Sequence, residues 1–197
     1  MNENSLGRRR FALGLPLVGL PLLTAACGAS PEPRYYTIVP RNGPTLTGGP
    51  KIVLLKDIGL ASYLDRREIV RSSENYKLDV RSNDWWGQPL GGMLGNTLVI
   101  ELSQRLPGST TYAESGAINA DPNAVISINL QRLDADSTGT LILLAQVAIE
   151  FNRPRRTASR TFTITKPLPA PGTPGLVVAI SDALGELADG IAAMLQP

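Results

Sequence analysis

Residues 124–133 read AVISINLQRL and residues 140–151 read TLILLAQVAIEF. In the second stretch Leu141, Leu143, Ala145, Val147, Ile149 and Phe151 fall on one side of a two-residue period. The other side opens with Ile142 and Leu144 and turns polar at Gln146 and Glu150. In the first stretch Ile126, Ile128 and Leu130 alternate with Ser127, Asn129 and Gln131. Side chains of a strand point alternately to its two faces, so this period marks half-buried β-strands. DADSTG supplies the turn between them. After a second turn, NRPRR, the stretch TASRTFTITK (157–166) lines one face with threonines. Three long strands rich in β-branched residues and joined by short turns predict an antiparallel meander.

Working outward, YYTIV (35–39) reads as a first strand and PRNGPTLTGGP (40–50) as a Pro/Gly loop. KIVLLK (51–56) is apolar on both faces and suits a central strand. REIVR (67–71) and YKLDVR (76–81) flank SSEN as a hairpin, with Tyr76, Leu78 and Val80 on one face. Pro89 opens a helix in which Leu90, Met93, Leu94, Thr97, Leu98, Leu102 and Leu106 recur at helical spacing, and Pro107-Gly108 ends it. Gly91, Gly92 and Gly95 weaken its first half; they either let the helix sit close on a sheet or open a docking place for another chain. TTYA (110–113) is a short strand. PLPAPGTPG leads to a last helix, with Thr173 as N-cap, Pro174 as its first residue and an apolar stripe from Leu176 to Leu195. Asp182, Glu186 and Asp189 form an acidic stripe that reads as a solvated face. The expected class is α+β: a mixed, mainly antiparallel sheet with two amphipathic helices packed on one face.

The N-terminal segment carries a different message. Residues 1–10 end in Arg8, Arg9 and Arg10, residues 11–23 are almost wholly apolar, and Thr24, Ala25 and Ala26 precede Cys27, the only cysteine. A basic region, a short apolar region and a small-residue cleavage site describe a secretory signal peptide. The apolar run is too short to span a bilayer, which takes about 20 residues. LLTAAC resembles a lipobox, with Thr24 in the position where leucine is commoner. The expected layout is a signal peptide at 1–26, a lipidated tether at 27–34 that starts on Cys27, and a single domain at 35–197. RRRFALG also resembles a twin-arginine export signal, and the ordinary unfolded-chain route stands beside it.

Composition removes several kinds of chemistry. Past the signal peptide the chain holds 16 basic and 16 acidic side chains, three arginines and one glutamate fewer than the 19 and 17 of the whole. A neutral chain lacks the basic footprint of a nucleic-acid binder. Histidine is absent, which excludes Ser-His-Asp and Cys-His catalysis and imidazole-based zinc sites. With Cys27 assigned to lipid, no metal or other cofactor is expected. Carboxylate-only chemistry, as in glycosidases, stays open from sequence.

One segment, residues 57–107, resembles the ABC-type transport auxiliary lipoprotein family. The likeness lies in Tyr35-Tyr36-Thr37-Ile38 after the tether, in Tyr63, Leu64, Asp65 and Arg66 leading to Ile69 and Val70, and in Trp86 followed by Pro89 and Leu90. The family often has proline after that arginine, where this chain has Arg67. The resemblance implies a non-enzymatic part of a lipid-transport machine whose partners are a periplasmic MCE-domain protein and its ABC ATPase–permease. It also implies attachment to the outer membrane, with which Gly28 rather than aspartate after the cysteine agrees. The rivals are a chaperone or assembly factor for an outer-membrane protein, and a carboxylate-dependent periplasmic enzyme.

Candidate partner-binding residues are Tyr63, Asp65, Arg66, Trp85 and Trp86. The first three either shape a turn or meet a partner. The adjacent tryptophans, placed at the helix entrance, cannot easily share one core: one reads as core and the other as an exposed interface anchor, with core packing of the pair as the alternative. Ile142 and Leu144 offer further apolar area, so self-association into a homo-oligomer, or docking through one of these patches, is expected.

Overall fold

The computed structural model describes residues 32–114, 118 and 120–197. In chain order the elements are β1 (Arg34–Tyr36), β2 (Ile52–Leu55), β3 (Gly59–Leu60), β4 (Glu68–Ser72), β5 (Asp79–Trp86), α1 (Leu90–Arg105), β6 (Thr110–Ala113), β7 (Ala124–Ala135), β8 (Thr140–Asn152), β9 (Arg155–Pro167) and α2 (Gly172–Met194). The fold is α+β, as its alternating and helical periods predict. The strands divide between two sheets. The larger has the order β6-β2-β7-β8-β9, with β3 also beside β7, and the smaller has the order β1-β5-β4.

The meander β7-β8-β9 is antiparallel throughout. In β8 the side from Leu141 to Phe151 is buried residue by residue, and the other side is half-buried or exposed. In β7 the parity changes partway. Leu130 pairs with Ala145 and Arg132 with Leu144, so Gln131 is an extra residue, a β-bulge. Ile126, Ile128 and Leu130 therefore face the core before the bulge, and Leu133 and Ala135 after it. β2 is central, parallel to both β6 and β7, which explains its apolar character on both faces.

Both helices cover the inner face. α2 packs on β8 and β9, and α1 packs on α2 and β6. None of the three early glycines of α1 is required by a close approach: a Cβ at Gly91 would make ordinary contact with the Ile58 carbonyl at 3.6 Å, and Gly92 and Gly95 have open space. The segment from Thr37 to Pro50 has no regular structure, and its backbone donors are served by the helices. The amides of Val39, Arg41 and Gly43 donate to Ser181, Glu101 and Gln104 side chains, and that of Leu46 to the Arg105 carbonyl.

Three local expectations change. The second hairpin strand starts at Asp79, not Tyr76, because Asn75 and Tyr76 take left-handed backbone at φ 57° and 59° and the chain turns there. That strand runs on to Trp86, so both tryptophans belong to β5 rather than to a helix entrance. Thr173 does not cap α2, whose N-cap position is Pro171. Its hydroxyl donates instead to the buried carboxylate of Asp84, a charge-assisted hydrogen bond.

The acidic stripe is also less free than a solvated face. Asp182 pairs with Arg41, Glu186 with Lys166, and Asp189 with Arg105. Arg105 is only 1% exposed, and all its nitrogens are used: Nε to Asp189 at 2.6 Å, Nη1 to the Arg41 and Glu101 carbonyls, and Nη2 to the Gly185 carbonyl.

Candidate interaction surface

The motif residues 63–66 divide into two that build and two that are presented. Tyr63 donates its hydroxyl to Asp134 at 2.7 Å, and Asp134 is wholly buried just past the bulge of β7. Arg132 donates to the other oxygen of Asp134 at 3.0 Å and reaches Glu74, which in turn accepts from the Ser137 amide. Burial, and then the bond to Asp134, push the Tyr63 phenol well above its ordinary pKa, so it stays a neutral donor. Leu64 is core. A tight turn, with Leu64 N–H on the Ala61 carbonyl and Arg66 N–H on the Leu64 carbonyl, leaves Asp65 and Arg66 exposed. Neither of their side chains has an ion-pair or hydrogen-bond partner among the described residues.

The strand geometry separates the tryptophans, since neighbours in a strand face opposite ways. Trp86 is 6% exposed and packs in the core. Trp85 lies on the outer side, half-buried under its neighbours. Its Nε1–H donates to the Ser82 carbonyl at 2.8 Å. The Arg67 guanidinium stacks over its ring at 4.0 Å, and Tyr35, paired with it across β1 and β5, meets its edge at 5.8 Å. Tyr35 itself is 66% exposed. Arg67 also pairs with Glu68 at 3.1 Å, and that hydrogen bond holds the Glu68 carboxyl below its usual pKa.

Beside this stack a hollow of about 340 Å³ has Trp86, Pro89 and Leu90 among its walls, with Asp65, Arg66 and Arg67 also lining it. The hollow thus brings Asp65 and Arg66 to Trp86 and to Arg67, which stacks on Trp85, while Tyr63, in the turn between β3 and β4, is turned away to Asp134 of β7. Tyr35 and Arg67 were not among the partner-binding candidates drawn from sequence. The signal for Arg67 was its very departure from the family's proline, which supplies the cation over Trp85.

At the opposite end of β5 a wider cleft of about 940 Å³ lies between residues 71–81, the β7–β8 turn and the start of α2. Its charges balance: Arg71, Lys77 and Arg81 against Glu74, Asp79 and Asp136, with Asp79 engaging both arginines. Tyr76, at the tip, is fully exposed. Neither region has the parts of a catalytic site. The buried carboxylates Asp84, Glu101 and Asp134 each serve a partner of their own, the Thr173 hydroxyl, the Arg41 amide and the Tyr63 hydroxyl. Among the described residues no group of three His, Cys, Asp or Glu is placed to hold a metal ion. No helix among them is long and apolar enough to cross a membrane. Cys27 and the signal-peptide residues lie outside the described residues.

The sequence matches the family described as ABC-type transport auxiliary lipoprotein component over residues 36–192. The chain belongs to that family. It is therefore an auxiliary lipoprotein component of ABC-type transport and not an enzyme. Among curated proteins it is similar to the intermembrane transport lipoprotein PqiC of Escherichia coli (strain K12), 31% identical over 64 residues. That match covers 32% of this chain and 34% of PqiC, so the chain spans about a third of the length of this relative. Two crystal structures share the fold. One, of an uncharacterized protein, has a TM-score of 0.72 at 17% identity and covers 84% of this chain and 100% of its own. The other, of a Xanthomonas campestris protein, has a TM-score of 0.67 at 20% identity, with 82% and 94% covered.

Proposed function

We propose that the chain is the lipid-anchored auxiliary lipoprotein of an MCE-type ABC lipid transporter, held by acylated Cys27 at the periplasmic face of the outer membrane, where it docks the periplasmic MCE protein. The observation that carries this reading is the family match over nearly the whole domain, joined to the lipobox-like LLTAAC directly upstream. The likeness to an intermembrane transport lipoprotein supports a role in transport between membranes. The buried carboxylates, each serving a partner of its own, give no support to a carboxylate-dependent enzyme. Acyl chains on Cys27 would give stable attachment, where a single chain gives only marginal binding.

The test is affinity purification of the mature, acylated protein from its own cells. Recovery of an MCE-domain protein, lost together with outer-membrane fractionation in Cys27→Ser, is the expected result. Recovery of a β-barrel protein without any MCE partner would favour the assembly-factor reading instead.

A further inference from the structure

We propose that the Tyr35–Trp85–Arg67 stack, with Asp65 and Arg66 beside it, is a seat for the zwitterionic phospholipid headgroups of the membrane that holds the chain's own anchor. This rests on the reading of Cys27 as the acylated residue.

Chain length brings the membrane to this surface. Cys27 precedes Arg34, the first residue of β1, by seven residues, and Tyr35 follows at once. Seven extended residues reach at most about 25 Å. The end of the small sheet that carries Tyr35 and Trp85 is thus the part of the domain closest along the chain to the lipid. Tyr76, in the turn that enters β5 at its other end, is about 20 Å or more from Trp85, given about 3.3 Å per strand residue.

The side chains suit the headgroup layer. Tyrosine and tryptophan collect there because their rings are apolar and their polar atoms tolerate water. Trp85 has already satisfied its only donor on Ser82, so entering a drier layer leaves nothing unpaired. The face of its ring is occupied by Arg67, and Tyr35 gives the stack its most exposed aromatic surface. Asp65 and Arg66, one charge of each sign and neither paired within the described chain, complement the ammonium and the phosphate of a zwitterionic lipid. Counted together, Arg34, Arg66 and Arg67 balance Asp65, Glu68 and Asp84. The contact is therefore aromatic and short-range, and does not depend on long-range attraction that salt would screen.

The chain has only two tryptophans, and Trp86 is core, so Trp85 reports on this surface by difference. The mature protein, its acyl mass verified on Cys27, is placed in phosphatidylethanolamine–phosphatidylglycerol vesicles with and without brominated phospholipid. Bromolipid should quench the wild type more than Trp85→Phe, and equally so at about 0.1 M and about 1 M salt. Tyr35→Ser should lower the quenching while Trp85 remains. Equal quenching of wild type and Trp85→Phe overturns the proposal, as does quenching abolished by salt. A photo-crosslinker at position 35 that captures a protein in place of lipid in cells makes this a protein-docking surface, and also overturns it. Absence of acyl mass on Cys27 removes the anchor reading, and the seat falls with it; acyl mass present without Trp85 quenching removes the seat alone.

Discussion

Replacing Glu101 by glutamine removes an ionisable group from a site that is 1% exposed. One carboxylate oxygen accepts the Arg41 amide at 2.8 Å, and the other has no hydrogen-bond partner. Burial pushes the pKa up from an ordinary 4.5 to about 7, against the pull of the Arg41 amide and the Arg105 guanidinium. The Arg105 nitrogens are spent on Asp189 and three carbonyls, and none bonds the Glu101 carboxylate. A folded pKa above the unfolded one means that the native chain keeps a proton the unfolded chain releases. Stability therefore falls as pH rises from about 4.5 to about 7, and the loss is complete above that. The shift corresponds to at most about 3 kcal/mol, and to about 1–2 kcal/mol once relaxation of the surroundings is allowed. Glutamine keeps a carbonyl for the Arg41 amide and never ionises. Glu101→Gln should match the wild type at about pH 5 and exceed it by about 1–2 kcal/mol at about pH 8, a rise of roughly 2–6 °C in Tm. Thermal unfolding of the mature protein across that range measures it. A difference that does not change with pH, or a variant less stable at the alkaline end, would refute the reasoning and show Glu101 to be held ionised by Arg105.

Four further substitutions probe other parts of the argument. Asp84→Ala strips the acceptor from the buried Thr173 hydroxyl and from Arg34, and should cost about 2–3 kcal/mol in denaturant unfolding. Gly175→Ala would drive a Cβ into the Ala170 carbonyl oxygen, a backbone atom that cannot step aside, so a loss of about 1–3 kcal/mol is expected by the same measurement. Trp86→Ala should unfold the domain by about 3–5 kcal/mol, well beyond the effect of Trp85→Ala; equal losses would contradict the opposite orientations of the pair. Tyr76→Ala removes a fully exposed side chain from left-handed backbone, so stability should stay within about 0.5 kcal/mol. If the far end of the small sheet meets the transporter, that variant should bind the MCE protein roughly 30-fold more weakly in a titration.

The meander was legible because its two-residue period is sustained over more than a dozen residues, long enough for burial alone to dictate it. Shorter patterns misled. Tyr76, Lys77 and Leu78 alternate like a strand, yet the alternation there records no burial: Tyr76 and Leu78 are both exposed. The two-sheet arrangement left no local trace, since β1, β4 and β5 look like any short strands until their pairing is known. The bulge at Gln131 was equally silent, because one inserted residue changes parity without changing composition. The acidic stripe is solvent-exposed as its spacing suggests, but its ion pairs could not be read from it. Its partners lie far off in the chain, Arg105 and Asp189 being 84 residues apart, and a buried arginine inside a leucine-rich helix has no periodic signature. At the candidate site the tryptophan pair stood out in sequence by rarity, and a split between core and surface was among its readings, but which residue takes which place needed the strand that carries them.

Where this domain can meet other molecules follows partly from where it is guarded. β9 is a long strand at the border of the larger sheet, with thirteen residues and a neighbour on one side only among the described strands. Such a border invites pairing with another chain. Here Arg156 and Arg160, on the inner side of β9, lay their guanidinium groups over Phe151 and Phe162 at 3.7 and 4.7 Å. A strand added along β9 would have to cover these charges or displace them from the aromatic rings, and inward charges of this kind protect sheet borders. The opposite border, β6, has four residues and offers little length. Ile142 and Leu144 are half-buried rather than open, which shrinks the apolar patch that sequence suggested for self-association. Contact by strand addition is thus disfavoured on both sides, and the exposed aromatic side chains at the two ends of the small sheet remain. Tyr35 stands on β1 one residue after the proposed tether joins it, and Tyr76 in the turn before β5. If the proposed anchor seats the first end on lipid and the proposed transporter docks at the second, substitutions at Tyr76 should weaken docking and those at Trp85 the seating on the membrane.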